Sequence, residues 1–118
     1  MTHYRWDDLP KERLNEKLER RFIHGERGMI SQIWLAKGSI VPTHTHEAEQ
    51  ISYIVDGHLR LWVDEKVFDV RTGEVLVIPS GVPHRAEAIL DTYDMDIFAP
   101  PRRDWIEGRD AYLRGGGR

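Results

Sequence analysis

From Phe22 onward, apolar and polar residues alternate in short runs, and nearly every run ends on glycine, proline or a polar pair. Alternation with period two marks strands that bury one face, and closely spaced turn signals fit an antiparallel sandwich or barrel. The pattern predicts strands at 18–24, 29–36, 50–55, 58–63, 67–70, 75–78, 84–89 and 93–98. Gly25 to Gly28, Gly38, Gly57, the triplet at 64–66, Gly73 and the run "PSGVP" at 79–83 supply the turns. Ahead of the first strand, Pro10 suits a first helical turn, so residues 10–18 are expected to be helical despite Asn15 and a weak apolar stripe. Beyond Phe98, Pro100 and Pro101 remove ladder donors and end the last strand. Asp104 is then placed to cap a short helix over 105–113, and residues 114–118 are expected to be a disordered tail. The whole chain, 1–118, is read as one all-β domain with a barrel core over about 18–99 and short extensions at both ends.

The same alternation sorts side chains into faces. In 50–55, Gln50, Ser52 and Ile54 share one face, and Ile51, Tyr53 and Val55 the other. In the last strand, Asp94, Asp96 and Phe98 stand against Met95, Ile97 and Ala99. Two aspartates on a core face are costly, yet they are useful lining a cavity. Facing solvent they are ordinary, and pattern alone leaves both readings open.

Composition narrows the function classes. A chain of 118 residues supports one core. Its 17 Lys and Arg are interspersed with 20 Asp and Glu, so neither a nucleic-acid nor an anionic-membrane footprint appears. With no cysteine there is neither a disulfide nor a thiolate site, and any metal must sit on nitrogen and oxygen. The first residues, "MTHYRWDDLPKERLNEKLERR", hold no apolar run suited to a signal peptide or a membrane span, so a cytoplasmic location is expected.

Of six histidines, His44 and His46 lie two apart and Gln50 four further on, while His84 follows the "PSGVP" turn. On a strand the first three would share a face, and His84 would complete a set of three imidazoles and one carbonyl oxygen. Such a set suits divalent iron, manganese, nickel, copper or zinc and leaves positions open for water or substrate. The plainer reading of His44 and His46 is an exposed loop pair. His3, His24 and His58 are read as surface or edge histidines.

The longer spacing matters here. Gly38, five residues, His44, one, His46, three, Gln50, six, Gly57 is followed by Gly73, five, Pro79, one, Gly81, two, His84. This resembles the two motifs of the cupin superfamily and covers residues 38–88. The resemblance implies a small jelly-roll-like β-barrel, with one divalent transition metal per chain (Zn, Ni, Fe or Mn) on His44, His46, Gln50 and His84. Two positions depart from the pattern: Gln50 stands where glutamate is usual, and Ala88 where asparagine often ends the second motif.

The stretches "AKGSIVPTHTHEAEQISYIVDG", "VPHRAEA" and "DIFAPPRRDW" are also similar to the pectin-degradation cupins of the KdgF type. Those open the ring of 4,5-unsaturated monouronates released by pectate and alginate lyases. Their Asp-x-Phe-x-x-x-Arg signature falls on Asp96, Phe98 and Arg102. The resemblance implies a metal-dependent sugar enzyme of the lyase or isomerase type acting on a small carboxylated sugar. Asp96 would move the proton, Arg102 would pair with the carboxylate, and Phe98 and Ser52 would contact substrate. Together with the apolar outward residues Ile51, Tyr53, Met95 and Ile97, it also implies a homodimer. A cupin-type metal-dependent dioxygenase and a noncatalytic small-molecule sensor are the competing readings.

Overall fold

The alternating runs become antiparallel strands in the computed structural model, which describes residues 1–115. In chain order they are β1 (Glu12–Asn15), β2 (Leu18–His24), β3 (Met29–Leu35), β4 (Ile40–His44), β5 (Glu49–Asp56), β6 (His58–Val63), β7 (Lys66–Arg71), β8 (Val75–Ile78), β9 (His84–Ala88) and β10 (Thr92–Ala99). A short 3-10 turn at Trp6–Asp8 precedes them, and α1 (Arg103–Ile106) and α2 (Ala111–Arg114) follow. One sheet has six strands in the order β1-β2-β3-β10-β5-β8, and the other has four in the order β4-β9-β6-β7. Their inner faces close on Leu18, Leu35, Ile54, Leu59, Leu61 and Phe98, all buried. This is the double-sheet antiparallel barrel that the turn spacing predicts.

Register explains which polar groups go inside. On β10, Asp96 is paired with Ser31 of β3 on one side and Ser52 of β5 on the other, and Phe98 with Met29 and Gln50. Because side chains in directly paired positions point to the same face, Gln50, Ser52, Asp96 and Phe98 enter the barrel together. The opposite face of the same strands carries Ile97, Ile51 and Val77 in one row and Met95, Tyr53 and Val75 in the next. Gly57 shows why a motif position must be glycine. Its φ is 118°, and an added Cβ would lie 2.6 Å from the Asp91 carbonyl oxygen.

The strand boundaries expected for β2, β6 and β8 are those observed, and five others agree to within one residue at either end. Three expectations are corrected. Residues 10–18 form no helix, because Glu12–Asn15 is a strand paired with β2 in a hairpin. Asn15 Oδ1 accepts the Lys17 amide at 2.8 Å and makes the turn, while Leu14 and Leu18, whose spacing also fits a helix, are both buried in the hairpin. The single helix over 105–113 is instead two one-turn helices, separated by residues that include Gly108 at φ 71°. Asp104 is the second residue of α1 and not its cap, the N-cap position falling to Arg102, with which the Asp104 carboxylate pairs. The tail does not begin at 114: Arg114 ends α2 and reaches Asp110 at 3.1 Å and Glu12 at 3.3 Å. The rest of that expected tail, residues 116–118, lies outside the described residues. Strand β4 is an addition: Pro42 hid it, and it is accommodated because β4 is the edge of its sheet. No helix among the described residues is long and apolar enough to cross a membrane.

Candidate metal centre

His44 ends β4, His46 stands two residues beyond it, and His84 opens β9, paired directly with His44. One ring nitrogen from each lies within 4.8 Å of the others. Each Nδ1 lies 2.8 Å from a backbone carbonyl: His44 from Pro42, His46 from Ala48, His84 from Val82. Three Nδ1–H donors spent in this way leave three Nε2 lone pairs free, the arrangement in which a backbone carbonyl fixes the tautomer of a metal-ligating imidazole. His84 Nε2 is buried without a hydrogen-bond partner among the described residues.

Gln50 places an amide oxygen beside them. Its amide nitrogen donates to Ser52 Oγ at 2.9 Å and to Asp96 Oδ2 at 3.3 Å, which turns Oε1 toward His46 Nε2 at 3.1 Å. With the His46 proton on Nδ1, these are two acceptors face to face, and they repel unless a cation or a proton lies between them. The orphaned Nε2 of His84 and this acceptor pair both fit a divalent ion held by His44, His46, His84 and Gln50.

The electrostatics agree with ligand duty. Burial holds His44 down to about 3 and His46 down to about 4, the Arg102 charge adding to both. Burial lowers His84 as well, again with Arg102. All three imidazoles are therefore neutral near pH 7, the state that binds a metal.

Asp94 and Asp96 face the cavity, which settles the choice the pattern left open. Their carboxyls are hydrogen-bonded to each other. Burial, then the Asp96 charge, pushes Asp94 well above the usual carboxylate range. Burial also raises Asp96, although hydrogen bonds from Asp94 and Ser52 and the Arg102 charge oppose the rise. Such a pair keeps a proton deep in the barrel while one oxygen of each, Oδ1, has no protein partner among the described residues.

Arg102 is buried, 3% exposed. Its Nε and Nη2 donate to Asp104 at 3.0 and 2.7 Å, and Nη2 also meets the Tyr112 hydroxyl. Burial alone would raise Asp104, but these bonds hold it below the usual carboxylate range. The guanidinium carbon stands 5.1 Å from the Phe98 ring centroid, and Phe98 meets His46 edge-on at 5.6 Å. Phe98 thus links Arg102 to the histidines. Ser52, fully buried, is spent on Gln50 and Asp96.

Sequence reasoning missed Tyr112, whose ring packs 5.0 Å from His44, and Trp105 against Phe98 at 5.1 Å. Their signal was slight, because one-turn helices leave too short a periodic stripe to read. These residues help to roof a cavity whose free volume is about 50 Å³, room for a few waters. Outside it, His46, Arg102 and Asp104 border a second depression of about 240 Å³.

A double-sheet β-barrel gathering three imidazoles and an amide oxygen belongs to the small metal-binding barrels. Residues 33–99, more than half of the chain, match the cupin domain family, and the chain is a cupin. Among solved structures, KdgF from Halomonas sp. superposes with a TM-score of 0.82 at 22% identity, over 89% of this chain and 98% of that one. An RmlC-like cupin from Shewanella frigidimarina gives 0.81 at 26% identity, over 86% and 93%. A curated relative, an uncharacterised protein of Streptomyces coelicolor, is 25% identical over 86% of this chain and 98% of its own length. An uncharacterised protein of Methanocaldococcus jannaschii is 29% identical over 64% of this chain, which spans 62% of that relative's length.

Proposed function

We propose that this cupin is a metal-dependent enzyme acting on a small carboxylated sugar, opening the ring of a 4,5-unsaturated monouronate. The observation that carries the reading is the placement of a buried carboxyl pair and a buried arginine on the walls of the cavity lined by His44, His84 and Gln50. His44, His46, His84 and Gln50 would hold a divalent ion on neutral ligands, which would leave it its full charge for polarising substrate oxygens. Asp96 moves the proton: it is inside the cavity, it has a free oxygen, and Asp94 beside it holds a proton in reserve. Arg102 pairs with the substrate carboxylate through Nη1, the nitrogen outside its bonds to Asp104 and Tyr112, and Asp104 keeps the guanidinium in place. Phe98 forms the wall between Arg102 and His46. Ser52 acts through Gln50 and Asp96, holding the amide oxygen toward the histidines.

A sugar ring does not fit the present free volume of about 50 Å³, so admission requires movement of the roof around Tyr112. The same small volume favours a second reading, a metal-dependent dioxygenase acting on a smaller carboxylate, since three imidazoles also suit oxygen activation. The separating experiment incubates metal-analysed protein with unsaturated monouronate under nitrogen and follows absorbance of the conjugated enol ether. Loss of absorbance supports ring opening. No loss under nitrogen, with turnover in air, would replace it by the oxygenase.

A further inference from the structure

Arg20 is a buried charged group that neither the cupin motifs nor the proposed mechanism uses. β2 turns it to the inside of the barrel, in register with Ile33 of β3, and it is 1% exposed. Its Nε reaches Glu12 Oε1 at 3.4 Å and its Nη2 pairs with Asp110, which is itself fully buried. The guanidinium carbon stands 4.4 Å from the ring centroid of Trp105, the ring that also receives Arg102 at 5.0 Å. Nη1 is buried and has no hydrogen-bond partner among the described residues. Arg20 lines the same cavity as His44, His84, Asp96 and Arg102. A buried charged donor without an acceptor is expensive, and native structures keep one where a ligand or an ordered water completes it.

We propose that Arg20 is a ligand-recognition residue of the metal site, its Nη1 donating to an oxygen of the small carboxylate that the site receives. The inference rests on the carboxylate reading above and adds a second anchor to it. Arg102 takes the carboxylate, and Arg20 takes a further oxygen of the same molecule. The site therefore selects acids that carry several oxygens, because a ligand lacking the second acceptor leaves Nη1 unpaired. The rival account makes Arg20 a tether that holds α2 to β2 through Asp110. A tether is broken equally well from either end, whereas recognition is lost only with the arginine.

Calorimetric titration of the metal-loaded protein with D-galacturonate, a saturated uronate that is not consumed, separates these accounts. The proteins compared are wild type, Asp110→Asn, Arg20→Lys and the double variant Arg20→Gln with Asp110→Asn, which removes both charges of the pair. Circular dichroism and metal content are checked for each. Asp110→Asn should bind within about twofold of wild type, and the double variant about tenfold or more weakly, as expected for one charge-assisted hydrogen bond. Should the double variant not fold, Arg20→Lys carries the test: it keeps the charge and the Asp110 pair but lacks the fork, and should also lose about tenfold. Affinity unchanged on losing Arg20, or an equal loss in Asp110→Asn alone, overturns the inference and leaves the carboxylate reading standing. Absence of galacturonate binding to wild type overturns the two together.

Discussion

Acid should unfold the metal-free protein by a route that His44→Gln suppresses. Burial holds His44 down to about 3 in the folded chain against an ordinary value of 6.5, so the native state refuses a proton that the unfolded chain accepts. Below 6.5 the unfolded state binds more protons, and stability falls with falling pH until the folded value is reached. One such group costs about 1.4 kcal/mol per pH unit, so His44 alone removes about 2 kcal/mol between pH 6.5 and 5. His46, held to about 4, adds less because its ring is partly screened by solvent. Asp94 works in the opposite sense: its folded value is raised, so its contribution is lost as pH rises, and the variant keeps it. The assay is urea unfolding in chelator at pH 7 and pH 5 for both proteins. Wild type should lose about 2 kcal/mol more than the variant over that interval. Equal losses would refute the claim that the fold holds His44 neutral.

Asp96→Asn preserves shape and should depress kcat by about 10²- to 10⁴-fold on a confirmed uronate substrate, with metal content unchanged. Arg102→Ala should mainly raise KM, and more for charged uronates than for neutral sugar analogues, with Arg102→Lys rescuing only in part. Full activity of both variants would remove the Asp-x-Phe-x-x-x-Arg stretch from the mechanism. The outward rows of Ile97, Ile51 and Val77 and of Met95, Tyr53 and Val75 should bury against a second copy, Tyr53 and Val77 being 40% and 54% exposed. Light scattering at micromolar concentration should give the dimer mass, and a monomer mass would contradict it.

The parts legible in advance were those written in short-range pattern. Period-two alternation located the strands from Leu18 onward, β4 excepted, because one face of each is buried, and the spacing of His44, His46 and His84 anticipated their convergence. The N-terminal hairpin was misread because Leu14 and Leu18 satisfy a helix and a hairpin alike, and only pairing with β2 decides between them. The aspartate face of β10 was undecidable for the same reason: its direction depends on Ser31 and Ser52 across the sheet, not on its neighbours in sequence. Arg20 lies in a run, Leu18–His24, whose charges suggest solvent. It is buried because Asp110 and Trp105 arrive from the far end of the chain. Long-range ion pairs of this kind leave no local signal.

Elemental analysis of purified protein shows whether His44, His46, His84 and Gln50 hold a metal. The expected result is about one divalent transition metal per chain in wild type, with most of it lost in His84→Ala, whose lone nitrogen is already buried and unpartnered among the described residues. Equal metal in both proteins would remove His84 from the site and contradict the three-histidine centre.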